Sequence, residues 1–515
     1  MSGKILVATV SVLAMGASFT YGGDIVLSEH VESSDMPIIK DAFTHGYLHN
    51  CVNRPIPGGT IATLDIQCTN EGKHQPISQQ RLGSSWVRDL YWGYIGWIQS
   101  GDTEVLNRMR TSLEHLILAK NNNQSLGQSE VWPLADERFY IPQAVVPDLG
   151  IPYNLYPWCT ESQADFVIMC KMYWEQTGDL DWIKKVWSEM VYVTQNIELL
   201  DTNGNALPDQ LEGSYDYQWM SHDTEEALMS SKTHETYKCM ALLARELGKN
   251  SVAERMEKLA EKVKLEMNKP VEEGGFWKDL GNGKGYYINT RTITKGNERT
   301  DDKFIPYQSL VPMYLGLTTP EQDAAVFQML DSDFAKYYDL KYGPMYIAPV
   351  PQEAANERTV MDSSSTPWLG FLDVYLRCKK DQPQNRSKTF KMLIDHAWDV
   401  PDACISEGAG PWGFLTGGAG RSWDNANFFH TLIVGIYGLE KSNDGIAISA
   451  PVKMDDYPLS ELKNFKWKQA VYDFEWKGSG SRISSVVLDG KAVSKTESGY
   501  LLNEQTGRHN VVITL

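Results

Sequence analysis

Apolar residues recur at helical spacing through most of the first 440 positions, and they do so in pairs of segments. Thr160 to Thr177 reads as a largely apolar helix that stops at Gly178-Asp179, and Asp181 to Glu198 follows as an amphipathic one. The same two-part pattern recurs: Trp86 to Ser100 with Glu104 to Lys120, Ser231 to Leu247 with Ser251 to Met267, Ile305 to Leu315 with Pro320 to Lys336, and Pro367 to Cys378 with Asn385 to Trp398. A sixth apolar helix, Trp423 to Gly438, closes the series. The junctions fall roughly 65 to 80 residues apart, too far for stacked solenoid repeats but suited to helical hairpins joined by large loops. In each pair the first helix is the more apolar, as expected of an inner ring, and the second the more charged, as expected of an outer one. The pattern predicts a mainly α fold, an (α/α)6 barrel over residues 81–445. With five outer helices for six inner ones, the sixth outer helix must come from the N-terminal arm or be absent.

Two stretches leave the helical period. Gly275 to Arg291 has two short aromatic runs around Gly-Asn-Gly and predicts a β-hairpin ahead of the fourth inner helix. After Glu440, Arg482 to Val493 and Tyr500 to Leu515 alternate apolar and polar residues around Asp489-Gly490 and Thr506-Gly507, so residues 446–515 are expected to form a small antiparallel β domain. Residues 23–80 are rich in Pro, Gly and Asn and read as an arm that wraps the barrel. Residues 1–22 carry one Lys, an apolar run of about ten residues and then small residues, the order of a secretory signal. The run is short for an anchor, so the expected location is periplasmic or secreted, without membrane insertion.

The charge balance narrows the partners. With 66 Asp+Glu against 48 Lys+Arg and no basic run, the footprint expected for nucleic acid or an anionic membrane is missing. Seven Cys do not make a disulfide scaffold. Cys51 and Cys68 are close enough in the arm to pair, whereas Cys170 and Cys239 sit in apolar helical patterns and read as buried thiols. No metal-type Cys/His cluster is visible, and no cofactor is required. One loop has oxygen ligands at calcium spacing: Asp201 to Asp209, with Glu212 at the twelfth position and Ala206 where the sharp turn favours Gly. A structural calcium and a tight Asx-rich turn are both open readings. If calcium binds, Glu212 is a ligand and Asp216 is the better acid. The oligomeric expectation is a monomer or small homo-oligomer.

If the inner helices point the same way, the loops before them gather at one end and functional residues should concentrate there. Those loops carry Trp86, Arg88 and Asp89; Tyr153, Tyr156, Trp158 and Glu161; Glu212, Tyr215, Asp216 and Trp219; Asp362 to Thr366; and Glu407, Trp412 and Trp423. Carboxylates and rings in this density suit glycoside chemistry, which needs one carboxylic acid to protonate the leaving oxygen and a second carboxylate on the other side of the sugar. Gly213 to Met220 (GSYDYQWM) resembles the trehalase signature, in which the Asp is the general acid. Glu407 to Phe428 is similar to the trehalase and processing α-glucosidase pattern of a Glu base, a Gly-rich loop and a Trp opening the last inner helix. Trp86, Arg88 and Asp89 resemble the sugar-gripping motif of glucoamylase-like barrels. The resemblance to these six-hairpin glycosidases spans roughly residues 80–440. It implies an inverting hydrolase of α-linked, glucoside-like substrates, with Asp216 as acid, Glu407 as base, and Trp86, Arg88, Asp89, Trp158, Glu161, Tyr215, Trp219, Trp412 and Trp423 binding the sugar. Glu212 is the rival acid. A phosphorylase, a polysaccharide lyase using His222 or Tyr215, and a non-catalytic glycan-binding protein are the alternatives; for each carboxylate taken alone, a helix cap explains it equally well.

Overall fold

A computed structural model of the chain describes residues 31–36, 39, 66–68, 74–76, 85–122, 140–146, 151–152, 160–209, 224–292, 304–339, 343–344, 367–399, 406–409, 415–419, 422–455, 457–497 and 499–515. Five helical hairpins and a sixth inner helix form its body. They are α1 (Val87–Trp97) with α2 (Thr103–Asn122), α3 (Thr160–Thr177) with α4 (Leu180–Glu198), α5 (Ala227–Glu246) with α6 (Asn250–Asn268), α7 (Pro306–Tyr314) with α8 (Pro320–Ser332), α9 (Pro367–Lys379) with α10 (Arg386–Asp399), and α11 (Ser422–His430). The local signals act as read. Gly101, Gly178, Gly248 and Gly316 turn the first four hairpins with φ between 68° and 74°, a conformation costly for any residue with a Cβ. Asp179 accepts a hydrogen bond from the Trp182 amide and caps α4, and Thr319 with Gln322 forms a capping box on α8.

The odd-numbered helices pack in sequence, α1 on α3, α3 on α5, α5 on α7, α7 on α9, α9 on α11 and α11 back on α1, which closes a ring. α4, α6, α8 and α10 each lie against their own partner, and α2 packs chiefly on α3. First turns meet first turns: Arg88 of α1 bonds Glu161 of α3, the Leu228 amide of α5 donates to Gln308 of α7 at 2.6 Å, and the Trp368 amide of α9 donates to Asp424 of α11 at 3.0 Å. The inner helices are therefore parallel, and the molecule is an (α/α)6 barrel. No described element supplies a sixth outer helix.

Ring closure depends on a close approach. Gly96 of α1 lies so near α11 that a Cβ there would meet the Ala426 carbonyl oxygen at 1.8 Å. Past His430 the sixth inner helix widens into a π segment, Thr431–Ile436, instead of running on as the α-helix read to Gly438. Short sheets stand before the inner helices: Ser85–Trp86 with Ala144–Val146 and Ile151–Pro152, Thr224–Glu226 with Thr290–Thr292, and Ser406–Ala409 with Leu415–Ala419, Ile66–Cys68 and His74–Pro76. The expected hairpin is present as Trp277–Gly281 and Lys284–Tyr287.

At the C-terminal end, Leu439–Lys441, Ile446–Ile448 and Tyr500–Leu502 form one small sheet. A five-stranded sheet carries the rest, antiparallel except where Gln469–Lys477 runs parallel to Thr506–Thr514. Residues 31–36 of the arm are tied to this unit, Glu32 to Lys463 through the backbone and Asp35 to the Ser460 amide at 2.6 Å. Residues 1–30, Cys51 and the side chain of Cys68 lie outside the described residues, while Cys170, Cys239 and Cys378 are free, buried thiols. Among the described residues no helix is long and apolar enough to cross a membrane.

Candidate active site

The inner-ring end where the helices begin holds buried charge. Glu161, second residue of α3, is fully buried and accepts two-pronged hydrogen bonds from Arg88 of α1, Nε at 2.9 Å and Nη2 at 2.6 Å. The same carboxylate accepts from Lys232 of α5, whose ammonium also bonds Asp165 Oδ1 at 2.7 Å. Helix geometry explains the grouping: Glu161 and Asp165 are one turn apart on α3 and face Lys232 together. The ammonium sits over the Tyr91 ring, 4.5 Å from its centroid, and 5.9 Å from that of Trp92. Two cations and two carboxylates are thus held in a pocket none of them could occupy alone.

Their ionisation is set by that packing. Burial raises Glu161, but Arg88 and Lys232 outweigh it and hold the carboxyl below its ordinary range. Arg88 gives its Nε and Nη2 hydrogen bonds to Glu161 and opposes the rise of Asp165 only from a distance. Burial pushes Asp165 up to about 7, with the Glu161 charge adding to the rise and Lys232 opposing it. Its Oδ2 is buried with no partner among the described residues, as suits a carboxyl that carries a proton part of the time.

Around the ring from this cluster, Glu226 accepts from Gln308 Nε2 at 2.8 Å just before α5. Trp423 stacks on Trp368 with centroids 5.4 Å apart, and Trp368 meets Trp92 at 5.0 Å, so an indole layer crosses the lumen. Trp86 lies in the strand Ser85–Trp86 with 8% of its surface exposed, and Asp89 is buried in the first turn of α1. Arg88, Glu161 and Trp423 are therefore part of the floor of this end. Glu407 lies on the strand Ser406–Ala409 at a shift in register against Leu415–Ala419, and its side chain is outside the described residues. Asp216, Glu212, Tyr215, Trp219, Trp158 and Trp412 fall outside them too. The segment carrying Asp216 is joined at its ends, where the Thr224 amide donates to the Asp209 carbonyl at 2.9 Å.

The loop before that segment uses its oxygens internally. Asp201 accepts from the amides of Gly204, Asn205 and Ala206, and Asp209 accepts from Thr202. Asn203 and Asn205 donate to Glu225, which also accepts from Arg291. These bonds are those of an Asx-rich turn, with Ala206 at φ 72°, and among the described residues no group of three acidic, His or Cys side chains could hold a metal.

Sequence reasoning passed over Asp165, Lys232, Glu226, Trp368 and Asp424. Asp165 had a signal, its four-residue spacing from Glu161. Lys232 had none, because a lysine in a helical pattern ordinarily marks a solvated face.

No protein-family model and no curated protein matches the sequence. Solved structures do match in fold. One is a bacterial glucoamylase complexed with acarbose, at 15% identity and TM-score 0.50 over 72% of this chain and 52% of that one. Another is a GH78 family rhamnosidase of Bacillus sp. GL1, at 13% identity and TM-score 0.57 over 94% of this chain and 44% of that one. A wild-type glycosidase matches at 12% identity and TM-score 0.52, over 78% of this chain and 97% of its own. The chain spans about half the length of the glucoamylase and rhamnosidase structures. At these identities the likeness is one of fold, an (α/α)6 barrel.

Proposed function

We propose that this chain is an exported glycoside hydrolase that inverts the anomeric carbon of an α-linked, glucoside-like substrate, with Asp216 as general acid and Glu407 as general base. What supports the reading is the parallel inner ring: α5 and α11, which follow these two residues in the chain, both begin at the end that holds the Arg88, Glu161, Lys232 and Asp165 cluster and the indole layer. Fold likeness to glycosidases supports the same reaction class.

The chemistry follows from two carboxyl groups on opposite sides of a sugar ring. Asp216, which must hold a proton to act as the acid, gives it to the departing glycosidic oxygen as the bond to the anomeric carbon lengthens. Glu407 takes a proton from water, whose oxygen attacks that carbon from the opposite face. Room for the water requires the carboxyls to stand about 6.5–9.5 Å apart; about 5 Å would imply retention instead. Water is favoured over phosphate as the acceptor because Arg88 and Lys232 already neutralise carboxylates.

The test is incubation of the mature protein with α- and β-linked disaccharides and glycans, following product anomers by NMR. Wild type should release a sugar of inverted configuration, and Asp216→Asn and Glu407→Gln should each lose about 10²–10⁴-fold in rate while remaining folded. Activity surviving in Asp216→Asn would transfer the acid role to Glu212, and binding unaffected by either change, without turnover, would leave a glycan-binding protein.

A further inference from the structure

The opposite end of the barrel is built for something else. Along the inner helices burial is unbroken from Thr160 to Cys170, Ala227 to His234, Pro306 to Met313 and Pro367 to Val374, and it breaks at Lys171, Glu235, Tyr314 and Tyr375. Four helices of one closed ring thus meet solvent at a common level. Tyr314 and Tyr375 pack on each other there, centroids 5.6 Å apart. Trp92 of α1 touches Tyr314 of α7, on the far side of the ring, with centroids 5.7 Å apart, and Tyr314 meets His430 of α11 at 6.3 Å. The buried rings of Tyr91, Trp92 and Trp368 touch in series, Tyr91 under the Lys232 ammonium of the charged cluster and Trp92 against Tyr314.

The recess has donors and acceptors to spare. Among the described residues no protein group hydrogen-bonds the Tyr314 or Tyr375 hydroxyl. His430, 7% exposed and packed 4.6 Å from the Tyr375 ring, has a partner at neither Nδ1 nor Nε2. It stands where α11 gives way to the π segment, a widening often associated with function. The charges about the opening are balanced in pairs: Lys171 with Glu175 at 2.6 Å, Lys238 with Glu235 at 2.8 Å, and Lys379 with Glu440 at 2.8 Å. Among the described residues these side-chain pairs leave no net charge of their own. A neutral ligand would find aromatic faces, two free phenols, an imidazole and the outer lone pairs of carboxylates, which is the chemistry that grips hydroxyl groups.

We propose that the base of the barrel is a second binding site, for a small neutral polyhydroxyl compound such as a monosaccharide, distinct from the site at the mouth and independent of the hydrolysis proposed above. Burial, with Lys379 adding to it, lowers His430 to about 3, and burial raises both tyrosines, so the three groups are neutral at ordinary pH.

The experiment is a titration of the full chain with D-glucose, read by calorimetry and by saturation-transfer NMR, on wild type, Tyr314→Phe and Tyr375→Phe. No described group bonds either hydroxyl, so both variants should keep the wild-type melting temperature. Each should weaken glucose about two- to tenfold, with hydrolysis constants unmoved. Glucose binding equal in all three proteins would assign it to the mouth and overturn the proposal, as would no saturable binding to wild type.

Discussion

The four buried charges are held by one another, so the effect of removing one depends on which is left behind. Lys232→Met would leave Glu161 with Arg88 but strand Asp165. We expect a loss of about 3–5 kcal/mol, read as a fall in the urea midpoint. Asp165→Asn tests a pH effect of definite sign. The folded protein holds the Asp165 proton up to about pH 7, whereas the unfolded chain releases it near the ordinary value of 3.8. The native state therefore binds more protons between those limits, and stability contributed by this group falls as pH rises from about 4 to 7. Denaturation at a series of pH values should show that decline flattened in the variant. Glu161 acts in the other direction and in a lower window: its contribution is present above 4.5 and is lost as pH falls below it. Of this cluster Arg88 and Glu161 could be picked out in the sequence, because each opens a helix after a loop. Lys232 became visible only once α5 was placed beside α3, since a pairing between residues 71 apart leaves no local trace.

At the scale of the elements, the helices that begin with a local signal were legible to a residue or two. α3 starts at Thr160 as read, and the prolines opening α7, α8 and α9 mark their first turns. α5 was read late. It begins at Ala227, without a side-chain cap of its own, because its second amide is satisfied by Gln308 from the next inner helix. A start fixed by a residue 80 positions away cannot be read from a window of the chain. The π segment after His430 was equally hidden, since its composition is that of any buried helix. The contact of α1 with α11 gives a sharper test. Gly96→Ala would drive a methyl group into the Ala426 carbonyl, and the helices can relieve that only by separating. We expect about 1–3 kcal/mol of destabilisation in chemical unfolding, although alanine is the better helix former.

Over the whole molecule, the barrel and the C-terminal unit are joined through buried polar contacts. Gly101, in a left-handed turn, lies where a Cβ would come 2.0 Å from the Lys466 carbonyl, and buried Lys441 donates to the Gln99 carbonyl beside the Phe465 ring. Gly101→Ala should therefore both strain its turn and loosen this joint. Differential scanning calorimetry should show the transition move down by a few degrees, with the two parts parting into separate steps if the joint fails first. The alternation that announced the C-terminal strands did not reveal the parallel pairing of Gln469–Lys477 with Thr506–Thr514, because side-chain period is the same in both directions. The parallel inner ring has one more consequence. Each helix start carries about half a positive charge on its unsatisfied amides, so six aligned starts place on the order of three positive charges at the mouth and an equal negative sum at the base. That field is a property of the backbone. It acts in the same direction as Arg88 and Lys232 on the Glu161 carboxylate, and it means that an acid working at the mouth must keep its proton against a standing electrostatic pull. It also draws anionic groups toward one end of a chain whose net charge is −18, and favours lysines such as Lys171, Lys238 and Lys379 at the other.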